Sequence, residues 1–250
     1  MAITSILSSM VGVKGVEGKG RVGGSRRERA KATRARILKS AYDQFCEHGF
    51  LPTTMESIAS AAGVATQTVY YVFRTKARLL REVTEFGAAG VADPAPVMER
   101  AWMKEALESS DARRSVALIV EHGVDIYARV APLLSAIRTA ASVDEEVDSY
   151  WQSVTEGRRA GMERFVADLD AKGLLRSALD PRRAADILFV LDSHETFLGL
   201  TCGSGWSLEE FKAWLYRTVC DQLLAQSIEN GPSRTNPTQG LSFDSLVLAV

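Results

Sequence analysis

The chain has 250 residues, 46% of them hydrophobic and 24% charged, enough to bury a sizeable core as one large domain or two small ones. No run approaches the roughly 18 apolar residues of a bilayer span, and residues 1–13 lack both a leading basic region and a small-residue cleavage site. A membrane span and a secretory signal are therefore not expected, and the cytoplasm is the default compartment. The formal net charge of −1 conceals an asymmetry: residues 1–80 carry 13 Lys and Arg against 5 Asp and Glu, leaving 17 against 26 for the remainder. The front end attracts polyanions, with a solvated basic tail as the competing reading. Cys46, Cys202 and Cys220 form no CxxC pair, suit a reducing compartment and read as small buried hydrophobes.

In chain order, residues 1–25 are a basic lead-in, rich in Gly and Lys from 11 onward with nothing to pack, and expected to be disordered. A first helix is predicted over 29–48, where Ile37, Leu38, Ala41, Tyr42 and Phe45 recur at helical spacing and Gly49 ends it. A second opens at Thr53-Thr54-Met55-Glu56, a capping box in which the Thr53 hydroxyl accepts the Glu56 N–H, and stops near Gly63. The third covers 66–72, and the fourth runs from 75 through Leu79, Leu80 and Val83 toward 87. Further helices are predicted over 96–107, 112–130, 132–141, 144–172, 181–200 and 208–228, with Pro132 and Pro181 each placed at a helix start. No alternating strand pattern is convincing, so the fold is read as all-α. It divides into a three-helix DNA-binding domain over 26–75, a helical-bundle domain for ligand binding and dimerisation over 76–229, and a turn-rich flexible tail over 230–250.

The chemistry concentrates between Thr53 and Leu80. Two short helices meet across Gly63, with Ile58, Ala59, Ala62, Val64 and Val69 forming an apolar set small enough for close crossing, as a helix-turn-helix requires. Gly63 sits where the corner needs positive φ, and Val64 plugs it. The third helix then offers Thr66, Gln67, Tyr70 and Tyr71, uncharged donors and acceptors sized to reach base edges in a major groove. Arg74, Lys76 and Arg78 follow, placing positive charge where a phosphate backbone would pass. Core packing is the competing reading for Tyr70 and Phe73, and accounts for most of Phe73.

This stretch resembles the tetracycline-repressor (TetR) family, whose members show a pattern like T-x-x-x-I-A-x-x-A-G-V-S-x-x-T-L-Y-x-x-F-x-x-K-x-x-L-L. Here Thr54, Ile58, Ala59, Ala62, Gly63, Val64, Thr68, Val69, Tyr70, Phe73, Lys76, Leu79 and Leu80 stand in the matching places. Ile37, Leu38, Ala41, Phe45, Gly49 and Phe50 resemble the family's first helix in the same way, so the likeness covers about 50 residues. It implies a transcriptional regulator, a repressor rather than an enzyme, that binds a palindromic operator as a homodimer and is released by a small-molecule ligand. It further implies that Thr54 and Lys76 contact phosphates, that Thr66, Gln67 and Tyr71 face bases, that Tyr70 packs with its hydroxyl toward the backbone, and that Thr68 belongs to the same DNA-binding set. Ala65 departs from the pattern, since an alanine in place of the usual Ser N-cap loses about 1 kcal/mol. Thr66 is then a candidate cap, which weakens it as a base reader. Arg26, Arg27, Arg29 and Lys31 are either a solvated tail or an arm for a flanking minor groove.

The resemblance places dimerisation and a ligand cavity in the later helices. Phe189, Leu191, Phe197, Trp214, Leu215 and Leu223 are candidates for a subunit interface, with intramolecular core as the alternative for each. For the ligand, His122 and His194 interrupt apolar faces, and Trp102, Tyr127, Tyr150 and Trp151 supply aromatic surface, although a histidine on an apolar face is more often a core residue with a backbone partner. Glu121, Asp125 and Arg129 read as a solvated salt-bridge row. No His, Cys, Asp and Glu set has metal-ligand spacing, and no nucleophile elbow or Gly-rich strand-to-helix turn appears, so neither metal nor cofactor is expected. A nonspecific nucleic-acid binder remains the rival, and it has no need of the large acidic helical half.

Overall fold

The computed structural model describes residues 26–90 and 97–225. Among them there are helices and turns without a strand, apart from one isolated antiparallel bridge between Leu175 and Leu224. The expected lead-in, the helix start at Pro96, the tail and the last helix beyond 225 lie outside the described residues. The remainder falls into two compact units, 26–88 with 132–151, and 89–131 with 152–225.

In the first unit, α1 (Arg26–His48) covers the predicted 29–48 together with the three described residues before it. Ile37, Leu38, Ala41 and Phe45 form its buried stripe, and Gly49 ends it at φ 80°, a conformation that a glycine adopts without a Cβ clash. α2 (Met55–Ala62) starts one residue later than the capping box predicted from Thr53 and Glu56. Thr54 is the N-cap: its hydroxyl accepts the Ser57 N–H at 3.0 Å while Ser57 Oγ accepts the Thr54 N–H at 3.2 Å. Thr53 is instead buried, its hydroxyl donating to the carbonyls of Gly49 at 2.7 Å and Gln44 at 3.3 Å. Two adjacent threonines offer the same hydroxyl, and the buried contact takes the first. α3 (Thr66–Phe73) and α4 (Lys76–Ala89) follow, and α4 buries Ala77, Leu79, Leu80 and Val83.

α6 (Ala112–Ala141) is one helix where two were predicted, with Pro132 in its interior. A proline there removes a backbone donor and costs about 3 kcal/mol. Burial of Leu133, Leu134 and Ile137 directly after it, at about 1.5–3 kcal/mol for each large apolar side chain, outweighs that cost. The 132–141 part of α6 belongs to the first unit, as does the start of α7 (Glu145–Ala171).

The second unit holds α5 (Ala101–Glu108), the 112–131 part of α6, α7 from 152, and the elements that follow. α8 (Pro181–Leu191) starts at its proline, capped by the Asp180 carboxylate on the N–H groups of Arg182 and Arg183. The single helix expected over 181–200 breaks at Asp192. Ser193 then caps α9 (His194–Leu198), its Oγ accepting the Thr196 N–H at 3.1 Å, and a π-helical turn covers Gly199–Gly203. α10 (Leu208–Leu223) opens with a capping box between Ser207 and Glu210. Its last turn meets the chain after α7, where Arg176 N–H donates to the Leu223 carbonyl and Ala225 N–H to that of Leu174. Phe197, Leu215 and Leu223, candidates for a subunit interface, lie in this unit's own core at 5%, 0% and 0% exposure. Cys220 is buried as expected, but Cys202 is exposed.

Candidate nucleic-acid interface

The corner between α2 and α3 is fixed by Gly63 at φ 64° and ψ 43°. Its N–H donates to the Ser60 carbonyl at 3.1 Å and the Val64 N–H reaches back to Ala59 at 3.0 Å, satisfying carbonyls that the end of α2 leaves open. Ile58, Ala59, Ala62 and Val69 are buried here and form the packing surface of the two helices, while Val64, the fifth residue of the set read from the sequence, is half-buried at the corner.

α3 has two distinct faces. Val69 and Phe73, four residues apart, are fully buried, while Gln67, Tyr71 and Arg74, at i, i+4 and i+7, are exposed, Tyr71 to 85%. Thr66 and Thr68 are half-buried beside them. Ala65 occupies the N-cap position with no side-chain hydrogen bond, so Thr66 does not act as the cap and its hydroxyl is not occupied in that role. Tyr70 is 46% exposed and its hydroxyl donates to Glu56 Oε1 at 3.4 Å, directing it to α2 rather than to the backbone. An 85% exposed tyrosine between a glutamine and an arginine has no packing role, and it presents an aromatic ring and a hydroxyl to solvent.

Arg74 ends α3 at φ 65°, the one non-glycine residue with positive φ among the described residues. Such a conformation costs about 1–3 kcal/mol and concentrates at functional sites. It stops α3 sharply, and the Thr75 hydroxyl then accepts the Arg78 N–H at 3.0 Å to open α4. Thr54 stands exposed at the other end of the module, at the N-terminus of α2, where the helix dipole favours an anion.

Lys76 departs from the expected phosphate contact. Its ammonium turns inward, donating to the carbonyls of Phe50 and Thr53, each at 2.8 Å, and lying 4.2 Å from the centre of the Phe50 ring. Partial burial holds its pKa below the usual lysine value. The sequence gives the charge and not its direction, and carbonyls of the turn between α1 and α2 compete for it. Arg34, which sequence reasoning did not single out, binds Glu82 and covers the Phe73 ring at 5.0 Å, joining α1 to α4. Arg26, Arg27, Arg29 and Lys31 are exposed along the first turns of α1, as part of a helix and not as an extended arm.

The residues expected to hold a ligand do not form one group. Trp102 and His122 stack at 4.8 Å between ring centres, and Tyr127 and His194 are buried in the same unit. Tyr127 donates its hydroxyl to the Asp192 carbonyl at 2.8 Å, and His194 Nδ1 lies 2.9 Å from Glu195 Oε2. Tyr150 and Trp151 belong to the first unit, where Arg81 covers the Tyr150 ring at 5.5 Å and burial pushes its hydroxyl up to about 12. A cleft of about 280 Å³ lies beside Phe45, Phe50, Pro52 and Pro132, and none of the six lines it. In the row on α6, Asp125 accepts from Lys212 of α10 at 3.0 Å, which makes it a tie between helices. Among the described residues no three His, Cys, Asp or Glu side chains gather to hold a metal ion, and no helix is long and apolar enough to cross a membrane.

Residues 37–83, the stretch just described from the buried stripe of α1 to Val83 of α4, match the family model for bacterial regulatory proteins of the tetR family. This helix-turn-helix module is that of the tetR family. TtgR, an HTH-type transcriptional regulator of Pseudomonas putida, is 25% identical over 167 residues, covering 65% of this chain and 78% of TtgR. The fold is shared with NalD of Pseudomonas aeruginosa, a repressor of the MexAB-OprM multidrug efflux pump (TM-score 0.61, 22% identity, 79% of this chain and 98% of NalD). It is shared also with SmeT of Stenotrophomonas maltophilia in complex with triclosan (TM-score 0.58, 19% identity, 84% of this chain and 100% of SmeT). With this module and relatives that are transcriptional regulators, the chain is a DNA-binding transcriptional regulator and not an enzyme.

Proposed function

We propose that this regulator is a cytoplasmic repressor of the TetR family that binds a near-palindromic operator as a homodimer and leaves it when a small molecule binds the second unit. The observation that carries the DNA half of the reading is the outward face of α3, with Gln67 and Tyr71 exposed over the buried Val69 and Phe73. In this reading Thr66, Gln67 and Tyr71 face bases, Arg74 and Thr54 meet phosphates, and Thr68 and Tyr70 hold α3 in place. Lys76 supports the site from within, its three N–H groups directed to the carbonyls of Phe50, Leu51 and Thr53. The DNA-binding domain is 26–75 and the regulatory domain 76–229, between the lead-in and the tail. One short recognition helix spans too few base pairs for specificity, and a two-fold dimer doubles the contacts.

The release half rests on the family and on polar and aromatic side chains inside the second unit, of which Trp102, His122, Tyr127 and His194 are the candidates. SmeT binds triclosan on this fold, which supports a small, mostly apolar ligand, and the efflux repressors that share the fold support an export operon as the target. The test is selection of bound sequences from a random DNA library with the purified protein, followed by footprinting and sedimentation. A two-fold repeated site and a dimer are expected. A monomer at micromolar concentration on a non-repeated site overturns the reading. Screening compounds for release of the selected operator tests the ligand half.

A further inference from the structure

The break between α8 and α9 gathers polar groups inside the second unit that DNA binding does not use. Asp192 leaves α8 at φ −91° and ψ 64°, and its carbonyl accepts from both Tyr127 Oη and Arg158 Nη2, each at 2.8 Å. Arg158 Nη2 also donates to the Phe189 carbonyl at 3.1 Å, and the guanidinium lies 4.4 Å from the Phe189 ring centre. The arginine is thus directed to main-chain oxygens. The Asp192 carboxylate is left with Oδ1 buried and accepting no hydrogen bond. Leaving a buried acceptor unmade costs about 1–3 kcal/mol, and more for a charged one. Burial accordingly pushes this carboxyl up to about 6, against the opposing pull of Arg158.

What surrounds the carboxylate defines what would complete it. Gly123 and Tyr127 stand one turn apart on the face of α6 that meets Asp192. A methyl at 123 would lie 3.8 Å from Oδ1 and 3.9 Å from Oδ2, so on this side the carboxylate faces bare backbone. From Tyr127 a run of rings leads away through Phe197 at 6.1 Å, Phe211 at 5.3 Å and Trp214 at 5.7 Å between successive centres. The charged side chains that act on this cluster are Asp192, Glu195 and Arg158, two carboxylates against one guanidinium, and that guanidinium donates to main-chain carbonyls. An anionic ligand is repelled here. A hydroxyl supplies a neutral hydrogen bond, whereas an ammonium N–H supplies a charge-assisted one of roughly twice the strength.

We propose that Asp192 anchors a protonated amine on an aromatic body, an arylalkylammonium ligand whose N–H donates to Oδ1 while its ring joins the Tyr127–Phe197 run. The proposal rests on the reading that the second unit binds a small molecule, and it narrows that molecule to a cation. An aromatic run beside a carboxylate suits such a ligand at both ends, since ring faces attract cations as well as apolar surface.

Calorimetric titration of the full-length protein with 3-phenylpropylamine and with 3-phenylpropan-1-ol, which differ in the terminal group, tests this directly. The wild type is expected to bind the amine about tenfold or more tightly than the alcohol, the advantage of a hydrogen bond made to a charged group. Asp192→Asn is expected to abolish the preference while leaving the alcohol's affinity within about threefold. Gly123→Ala covers the carboxylate with a methyl at ordinary contact distance in a helix that favours alanine. It is expected to fold and to lose the preference as well, and it carries the test should Asp192→Asn not fold. Equal affinities in the wild type, no binding of the amine up to millimolar concentration, or a preference that survives in a folded variant each overturn the proposal. Release of operator by neutral compounds alone overturns the amine anchor and leaves the ligand-release reading standing. Amine binding that depends on Asp192 and releases no operator does the reverse.

Discussion

Lys76 Nζ lies 2.8 Å from the Thr53 carbonyl oxygen, and Thr53 in turn donates its hydroxyl to the Gly49 carbonyl at 2.7 Å. The start of α4 is thereby tied to the turn between α1 and α2, the turn that sets where α2 begins. A lysine that reads as a DNA contact in the sequence is, in the folded chain, first a clamp between α4 and the turn that joins α1 to α2.

Lys76→Met keeps the aliphatic stem against Phe50 and removes the donors. It is expected to lower stability by about 1–2 kcal/mol, since hydrogen bonds from charged groups contribute about 1.5–3 kcal/mol and this one is partly solvated. It should also weaken binding to all DNA sequences alike, because the clamp positions the whole module. Thermal unfolding beside titrations on selected and random DNA checks both, and a wild-type Tm would show that the clamp contributes nothing.

Gln67→Ala and Tyr71→Ala act on the exposed face of α3, where no core packing is lost, so stability should change by less than about 0.5 kcal/mol. Each is expected to reduce the preference for the selected operator by about 1–3 kcal/mol while leaving binding to random DNA nearly unchanged. Losses of equal size on both kinds of DNA would remove these two residues from base reading.

Ala65→Ser supplies the missing cap of α3. The backbone at 65 is already extended, at φ −68° and ψ 144°, and since the Thr68 N–H already donates to the Ala65 carbonyl at 2.8 Å, the serine hydroxyl is expected to accept the N–H of Gln67. A gain of about 1 kcal/mol is expected in denaturant unfolding. No change in the midpoint would mean that solvent already satisfies the first turn of the helix.

The DNA-binding module was legible because its signals are local. Gly63 needs positive φ, and the small residues Ala59 and Ala62 permit a close crossing, so both are fixed by neighbours in sequence. Where prediction failed, distant packing decided. Pro132 carries the strongest local signal for a helix start, yet the buried residues that follow it keep α6 continuous. The break at Asp192 went unseen for the converse reason. Ser193 and Thr196 form a cap, but the carbonyls freed by the break are satisfied by Tyr127 and Arg158, 65 and 34 residues away from Asp192. The ligand candidates divide between the two units because helical periodicity selects a face without stating which unit that face belongs to. Tyr150 and Trp151 look like Trp102 in sequence and lie in the other unit.

Asp192 gives the chain a pH dependence opposite to that of an ordinary paired carboxylate. Its carboxyl, at 3.8 in the ordinary case, stands at about 6 in the folded chain because burial disfavours the charged form more than Arg158 favours it. The folded state therefore holds this proton over a range in which the unfolded state has released it, and stability falls as pH rises from about 4 to about 6. Below that window the group is protonated in both states and contributes nothing. Above it the full cost of the buried charge is present, about 3 kcal/mol at about 1.4 kcal/mol for each pH unit between the two values. Tyr127 and Arg158 face the group from α6 and α7, and Glu195 adds a carboxylate nearby, so a mutation there shifts the window without reversing its sign. Asp192→Asn removes the titration while keeping the shape of the side chain. The variant is expected to be more stable than wild type at pH 7.5, with a difference that shrinks steadily toward pH 4.5. Urea unfolding of both proteins across that range measures it, and a difference independent of pH would show that the carboxyl is not buried in its charged form.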